Sequence, residues 1–351
     1  MPLLGMNSQT IFLAVLASIA ITLVTGWLAI RIARRAGLID MPGTSARKTH
    51  RRPTPRAGGI AIALALVPLV FLFGTVWERQ IAVMLAAAAI IFFFGIWDDK
   101  ADLSARTKVI GQLLACAVIL LAGMEVHIFK PGFLGLTQPA LLAWMNRLIT
   151  IVWIVGVTNA FNLADSMDGL VTGLSGWAFA FFIMAALVAG QQTLAIQSAI
   201  MAGICVSLYF YNSPEARLFL GDSGALTLGF ILAIMAIIYT PLNRPQSSSW
   251  FVPIMLVGVP IFDTTLVFFS RLRRKVPFYQ GNLDHTYHRL VAMGIAPNQS
   301  VQIMHLAALM LNCMAFIALS LEPLYSNLIF ASCLVVGAGG IIFLESRFKA
   351  T

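Results

Sequence analysis

The chain has 351 residues, of which 59% are hydrophobic and only 11% are charged, whereas an ordinary soluble domain carries roughly 25% charged residues. No single soluble core could bury so much apolar surface, so the composition excludes a soluble globular protein and predicts lipid as the solvent. Basic loops beside anionic lipid explain the formal net charge of +9, and we expect membrane lipid, not nucleic acid, as the partner of these charges.

Apolar runs of about 16 to 25 residues, long enough to cross about 30 Å of hydrocarbon, recur along the whole chain. The first run is longer than a signal-peptide core and its arginines follow it, so we expect it to remain as a membrane span. The sequence predicts an all-α integral membrane protein, in which residues 1–351 form one polytopic domain with about eleven transmembrane helices. These are expected to start near Ile11, Gly58, Ile81, Val109, Pro139, Val171, Thr193, Ala225, Trp250, Val301 and Leu324.

Lysine and arginine are distributed unequally between alternate loops of this predicted topology. Nineteen of the 23 lie on one side, and the other side has only Arg79, Lys130, Arg147 and Arg244. The positive-inside rule places the richer side in the cytoplasm. We therefore expect a multi-pass plasma-membrane protein with its N-terminus outside and its C-terminus in the cytoplasm.

Acidic residues share this asymmetry, since eleven of the fourteen lie on the side predicted to be cytoplasmic. The positive-inside rule is nearly indifferent to acids, so their clustering favours a functional site over solvated loops. The clusters lie at the ends of apolar runs. We expect the active site to be formed by cytoplasmic loops 34–57, 97–108, 158–170, 211–224 and 270–300.

The first two acidic clusters offer oxygen ligands for a cation. Adjacent Asp98 and Asp99 would repel each other unless a cation lies close by, although such a pair is more often a solvated helix end. The second cluster would line one face of its segment if that segment is helical, and the alternative is a polar face that closes a helix bundle. Its oxygen-bearing residues are Asn159, Asn162, Asp165 and Asp168.

A third acid and a basic loop complete the requirements of phosphoryl transfer. Asp222 lies in a glycine-rich segment directly before an apolar run, where a helix N-terminus would point free N–H groups at an anion. The basic loop at residues 47–52 provides cations for phosphate oxygens. Carboxylates that hold Mg²⁺ and bases that hold phosphate favour a metal-assisted phosphoryl transferase. On the same side, His50, His285 and His288 are expected to contact phosphate or transfer protons.

A series of short motifs follows in order along nearly the whole chain. They are Arg47-Lys48-x-His50, Pro53-x-Pro55-x-x-Gly58-Gly59, Asp98-Asp99, Lys108-x-x-x-Gln112, Asn159-Ala160-x-Asn162-x-x-Asp165-x-x-Asp168-Gly169-Leu170, Asn212, Phe219-x-Gly221-Asp222-x-Gly224, Asp263-Thr264 and residues 271–288. In this series the chain resembles the polyprenyl-phosphate N-acetylhexosamine-1-phosphate transferases. The resemblance implies transfer of a sugar 1-phosphate from a UDP-sugar to undecaprenyl phosphate, with release of UMP, to initiate cell-wall or surface-polysaccharide synthesis.

The resemblance also implies roles for individual residues, together with a Mg²⁺ cofactor, or Mn²⁺ in its place. The implied metal ligands are Asp222 and Asp165. The implied catalytic residues are Asp98, Asp99, Lys108, Asp165, Asp168 and His288. The implied substrate-binding residues are Lys48, His50, Asn162, Asn212, Phe219, Arg271, His285 and Arg289. In these roles, Lys108 would contact the pyrophosphate and Phe219 would stack on uracil. Asp98 and Asp99 would orient or deprotonate the lipid phosphate.

The chain departs from the family pattern at Tyr287, which stands where a His-x-His-His run has its middle histidine. The three consecutive histidines of the phospho-MurNAc-pentapeptide translocase branch are absent, so UDP-GlcNAc or a close relative is the expected donor and MurNAc-pentapeptide transfer is the alternative. The resemblance also implies a homodimer. Asp40 matches no motif, and we expect no catalytic role for it.

A transporter or lipid flippase is the alternative from another class of protein, because eleven spans would suit one. Such a protein should carry ionisable groups or broken helices near the bilayer midplane, with inverted repeats. In this chain the acids cluster at the predicted span ends and no internal repeat is found. The distribution of acids therefore favours the enzyme.

Overall fold

A computed structural model describes residues 2–43, 52–132, 135, 137–241, 249–276 and 284–348. The helices in these residues are α1 (Pro2–Ala36), α2 (Gly58–Leu72), α3 (Arg79–Ala101), α4 (Ala105–Leu121), α5 (Pro139–Ala164), α6 (Leu170–Val188), α7 (Gln192–Asn212), α8 (Gly221–Ile238), α9 (Val252–Leu256), α10 (Gly258–Arg274), α11 (Thr286–Ala292), α12 (Pro297–Ala318) and α13 (Pro323–Arg347). A 3₁₀ turn spans Thr75–Trp77, and strands β1 (Ile39–Asp40) and β2 (Thr54–Pro55) pair antiparallel.

This architecture confirms the prediction of an all-α membrane protein. Within the described residues, eight helices are long and apolar enough to cross a membrane, namely α1, α3, α5, α6, α7, α8, α12 and α13. A helix covers or begins close to each predicted start, but α2 and α4 have only 15 and 17 residues, and Val257 separates α9 from α10. The number eleven and the orientation of the termini therefore stay predictions.

Helix α8 is the most buried of the candidate spans. It packs against α2, α3 and α5, while α7 packs against α1 and α6. After its first turn, α8 carries only apolar and small residues and one threonine, so it needs few polar partners inside the bundle. Its only charged residue, Asp222, lies in the first turn. The most buried helix of the bundle therefore begins with a charged residue.

Two glycines bring neighbouring helices against the first turn of α8. A Cβ atom at Gly59 in α2 would overlap the Ser223 hydroxyl, and a Cβ atom at Gly95 in α3 would overlap the Ser223 backbone. Glycine permits this close backbone approach because it has no side chain. The first turn of α8 is therefore clamped between α2 and the last turns of α3, where Asp98 and Asp99 lie.

Candidate active site at the start of helix α8

The carboxylate of Asp99 caps the N-terminus of α8 from outside the helix. Oδ1 accepts a hydrogen bond from the backbone N–H of Asp222 at 2.9 Å. Oδ2 accepts bonds from the backbone N–H of Ser223 at 3.1 Å and from its hydroxyl at 2.6 Å. A helix N-terminus has free N–H groups and a positive dipole end, so a buried carboxylate is stabilised there. Asp99 thus fixes the backbone that carries Asp222.

Asp98 and Asp222 are joined through a single ammonium group. Lys108 forms ion pairs with both carboxylates, and its Nζ lies 2.6 Å from Oδ2 of Asp222. The side-chain amide of Asn162 donates to Oδ1 of Asp222 at 3.0 Å, and the backbone N–H of Leu103 donates to Asp98 at 2.7 Å. Four sequence-predicted site residues from α3, α4, α5 and α8 therefore meet at one point.

A pair of side-chain amides fixes the two helices that supply Lys108 and Asn162. Gln112 donates to Asn159 at 3.1 Å, and Asn159 donates back to Gln112 at 2.8 Å. Lys108 lies one turn before Gln112 on α4, and Asn162 lies one turn after Asn159 on α5. The reciprocal bond therefore sets the position of α4 against α5 and directs both side chains to Asp222.

The expected helical face from Asn159 to Asp168 is only partly formed, because α5 ends at Ala164. Asp165 and Asp168 lie instead in the turn at residues 165–168, which we name the acidic turn. Gly169, with a φ of 76°, ends this turn in the left-handed region that glycine adopts freely. Desolvation, with the charges of Asp99 and Asp168, raises the pKa of Asp165 to about 8.

Asn212 connects the acidic turn to the segment that leads to α8. Its Oδ1 accepts the backbone N–H of Gly169 at 3.1 Å, and its amide donates to the carbonyl of Leu218 at 3.1 Å. Across the same gap, Asp168 accepts the backbone N–H of Ala216 at 3.3 Å. Asn212 is buried and fixes the position of these backbones, and its role in substrate binding stays a prediction.

A cavity of about 920 Å³ opens beside the acidic turn. Its walls include three arginines, Arg34, Arg52 and Arg217, together with Asp168 and the half-buried ring of Phe219. Guanidinium groups and an aromatic ring suit phosphate oxygens and a planar base respectively. Asp222 follows three residues after Phe219, so the chain leads from the wall of this cavity to Asp98, Lys108, Asn162 and Asp222, which we name the Asp222 cluster. The predicted substrate ligands Lys48 and His50 lie outside the described residues.

Arg56 and Asp40 are site neighbours that the sequence interpretation missed. Arg56 donates to Oδ1 of Asp40 at 2.8 Å and to the backbone carbonyl of Asp99 at 3.3 Å. Asp40 is buried, and its strand β1 pairs with β2. The backbone N–H of Phe219 donates to Pro55 in β2 at 2.9 Å. Asp40 therefore stabilises the framework of the site, and the expectation that it has no catalytic role stays a prediction.

The histidine turn, residues 284–289, is held by carboxylates from its surroundings. Nδ1 of His285 lies 2.7 Å from Asp263, which also accepts the N–H of Thr286 at 2.6 Å. Tyr287 is fully buried between the two histidines, with its ring centre 4.2 Å from that of His288. Burial lowers the pKa of His288 to about 4, so His288 is neutral near pH 7.

The predicted substrate ligands Arg271 and Arg289 are engaged with the protein itself. Arg271 forms a two-point ion pair with Asp284, which Arg274 also contacts at 2.8 Å. Burial alone would raise the pKa of Asp284, but these arginines hold it below its usual range. Arg289 is buried and donates to Glu345 at 2.6 Å. In this arrangement Arg271 attaches the histidine turn to α10, and Arg289 attaches it to α13.

The donor chemistry of the Asp222 cluster suits Mg²⁺, which takes hard oxygen ligands, commonly one or two carboxylates with substrate phosphates. In the described part of the chain, no three His, Cys, Asp or Glu side chains converge as a preformed metal centre. Burial raises the pKa of Asp165, and the charges of Asp99 and Asp168 raise it further; a cation would offset that repulsion. These residues therefore fit an ion that takes some of its ligands from the substrate.

The chain is similar to known proteins over most of its length. The sequence profile of glycosyl transferase family 4 matches residues 81–240. A probable undecaprenyl-phosphate N-acetylglucosaminyl 1-phosphate transferase of Bacillus subtilis is 34% identical, over 88% of this chain and 84% of the relative. A decaprenyl-phosphate N-acetylglucosaminephosphotransferase of Mycobacterium tuberculosis is 29% identical, over 78% and 74%. An undecaprenyl-phosphate alpha-N-acetylglucosaminyl 1-phosphate transferase of Escherichia coli is 25% identical, over 89% and 85%.

Proposed function

The chain belongs to glycosyl transferase family 4, and from this premise we propose that it transfers N-acetylglucosamine 1-phosphate from UDP-GlcNAc to a polyprenyl phosphate. An oxygen of the lipid phosphate attacks the sugar-linked phosphorus. The bond from that phosphorus to the bridging oxygen breaks, UMP leaves, and a lipid-linked pyrophosphoryl sugar remains. The names of the relatives support the polyprenyl phosphate and the transferred N-acetylglucosamine phosphate.

The observation that carries this proposal is the convergence of Lys108, Asp98 and Asp222 beside the arginine-lined cavity. Phosphoryl transfer depends on positioning and on neutralising charge that spreads over phosphate oxygens. A lysine ammonium can hold a pyrophosphate oxygen, and the arginines of the cavity can hold others. The ring of Phe219 offers a surface on which uracil would stack. The site thus has a place for each charged part of a UDP-sugar.

The roles within the site follow from what each carboxylate already contacts. Asp99 is committed to the N-terminus of α8, so we assign it to hold Asp222 in place. Asp98 contacts Lys108 and the backbone of Leu103, so it remains the better group to orient or deprotonate the lipid phosphate. We assign Asp222 and Asp165 to hold Mg²⁺, because the backbone of Asp222 bonds to Asp99 and the charge of Asp99 also acts on Asp165. The ion, when bound, would neutralise charge on the transferring phosphoryl group.

A second cavity supports the lipid substrate. Its volume is about 690 Å³, and its walls are largely apolar. It runs between α5 and α10, from residues near Glu125 and Trp250 to Ala160 and Thr264. Ala160 lies only two residues before Asn162. An isoprenoid chain in this groove would lie in lipid-like surroundings, with its phosphate directed toward the Asp222 cluster.

We also propose that the site faces the cytoplasm of a plasma-membrane protein and that the enzyme works as a homodimer. The excess of lysine and arginine on the side of the site supports the orientation. UDP-sugars are made in the cytoplasm, so a cytoplasmic site would meet its donor directly. The exposed apolar faces of α1 and α13 are compatible with lipid or with a second copy.

The deciding experiment uses purified protein in detergent, undecaprenyl phosphate, Mg²⁺ and a panel of radiolabelled UDP-sugars. UDP-GlcNAc should transfer label to the organic phase with release of UMP, and EDTA should stop the reaction. Stronger labelling from UDP-MurNAc-pentapeptide would favour the alternative substrate. If folded protein, checked by thermal unfolding, labels lipid from none of the UDP-sugars, the proposed transferase activity is wrong.

A further inference from the structure

Asp263 is a fully buried carboxylate of α10 to which the proposed reaction gives no role. Its Oδ2 lies 2.7 Å from Nδ1 of His285, and its Oδ1 accepts the backbone N–H of Thr286 at 2.6 Å. Both oxygens are thus directed at adjacent residues of the histidine turn. Two bonds from one planar carboxylate fix the direction of the imidazole ring as well as its place.

The ring of His285 is also held by Tyr287, which belongs to the same turn. The ring of Tyr287 stacks nearly parallel to His285, at 11° and 5.7 Å between ring centres. Tyr287 itself packs in an apolar cluster that includes Leu170 and Met167. Met167 belongs to the acidic turn, so the histidine turn lies against it. His285 is therefore held at the edge of the proposed active site.

We propose that Asp263 is the positioning residue of His285 and keeps the hydrogen of its neutral ring on Nδ1, so that Nε2 is a hydrogen-bond acceptor. An ionised carboxylate only accepts hydrogen bonds, and the bond made by one ring nitrogen determines which nitrogen carries the hydrogen. This inference rests on the proposed function and adds the chemical class of the group recognised. An Nε2 acceptor suits a sugar hydroxyl or the acetamido N–H, whereas phosphate oxygens need a donor.

Asp263→Asn tests the inference because it preserves volume and reverses the hydrogen-bond pattern. The N–H of Thr286 still needs an acceptor, so the amide oxygen takes that bond and the amide NH₂ faces Nδ1 of His285. Nδ1 then becomes an acceptor, and the hydrogen moves to Nε2. We expect KM for UDP-GlcNAc to rise about 10- to 100-fold with a smaller change in kcat, because two donors then meet at the sugar. Glu322→Gln, an exposed carboxylate-to-amide change before α13, should leave both constants unchanged.

Nitrogen-15 NMR of histidine-labelled protein provides a readout that needs no turnover. The chain has 5 histidines, and His285→Gln identifies the signal of interest. Wild-type His285 should carry its hydrogen on Nδ1, and Asp263→Asn should move it to Nε2. A wild-type ring with its hydrogen on Nε2 overturns the inference even if the transferase activity is correct. If the spectrum is as expected but the protein has no transferase activity, only the proposed function is wrong.

A double-mutant cycle separates positioning from a purely structural role. If Asp263 acts through His285, then Asp263→Asn should raise KM no further in a His285→Gln background. Independent, multiplying losses would show that Asp263 acts elsewhere and would overturn the inference. Should Asp263→Asn fail to fold, Asp263→Glu takes its place in the cycle, and the wild-type spectrum still decides the position of the hydrogen.

Discussion

Replacing Asp99 by asparagine leaves three donors at the start of α8 with too few acceptors. The Asp222 N–H bonds to one carboxylate oxygen, and the Ser223 N–H and hydroxyl bond to the other. An amide has one oxygen, which can take two of these bonds, and its NH₂ must then face the third donor. The Asp99 side chain is only 1% exposed, so water cannot replace the missing acceptor.

The loss can be sized from these contacts. One buried donor without an acceptor costs roughly 1–3 kcal/mol, and loss of the charge at the helix N-terminus adds about 0.3–1 kcal/mol. For a chain of 351 residues, an unfolding entropy of about 2.1 cal/mol/K per residue means that each kcal/mol corresponds to roughly 1.4 °C. We therefore expect Asp99→Asn to lower the thermal unfolding midpoint in detergent by about 2–6 °C. Turnover should fall as well, because the backbone of Asp222 loses its anchor.

The assay compares unfolding midpoints and UDP-GlcNAc turnover for Asp99→Asn and Asp98→Asn. Asp98 has a charged partner in Lys108 and a single backbone donor, so Asp98→Asn should lose turnover with a smaller change in the midpoint. The different losses would separate a carboxylate that holds the helix from one that faces substrate. If Asp99→Asn unfolds at the wild-type temperature, the cap does not stabilise the fold and our division of roles is incorrect.

The remaining predictions concern the metal, the topology and pH. Asp222→Asn should abolish turnover with a near-normal unfolding midpoint. The control is Glu78→Gln, an exposed change at the far end of α3, which should leave turnover within a few-fold. Normal turnover in Asp222→Asn would refute the metal role. In intact cells without native cysteines, an impermeant reagent should label cysteine at Glu322 and not at Glu215, and the reverse result would invert the topology. Because the pKa of His288 falls to about 4 on folding, protonation below pH about 6.5 favours the unfolded chain. Wild type should therefore lose stability relative to His288→Gln between pH 6.5 and 4, and equal losses would contradict the shift.

The sequence predicted the helices well because each must satisfy its backbone within lipid, and long apolar runs have no other stable form there. The resemblance to the transferase family also named Lys108, Asn162 and Asp98, which the structure brings together at Asp222. Helix ends were less accessible. α5 stops at Ala164 because the acidic turn and Gly169 reverse the chain, and a three-residue spacing of acids does not reveal this reversal.

The individual bonds that distant site residues make with each other could not be predicted from the sequence. Asp40 and Arg56 flank the basic loop with opposite charges, but no pattern indicates that Arg56 also reaches the carbonyl of Asp99. Arg271 lies in a basic run typical of phosphate contacts, yet its guanidinium is paired with Asp284. In both cases the partner is chosen by helix packing, which depends on the whole bundle.

The packing at Ser223 explains why an acidic site can be stable at the end of an apolar helix. Buried charge is costly unless it is paired and hydrogen-bonded, and the described carboxylates nearest α8 all have partners. Asp99 has the helix N-terminus, while Asp98 and Asp222 share Lys108. These contacts require α3 to lie directly against α8, which Gly95 permits and a larger residue would prevent. The small residues of the bundle therefore make the charged site possible. They let the helices approach closely enough for the charged side chains to neutralise each other.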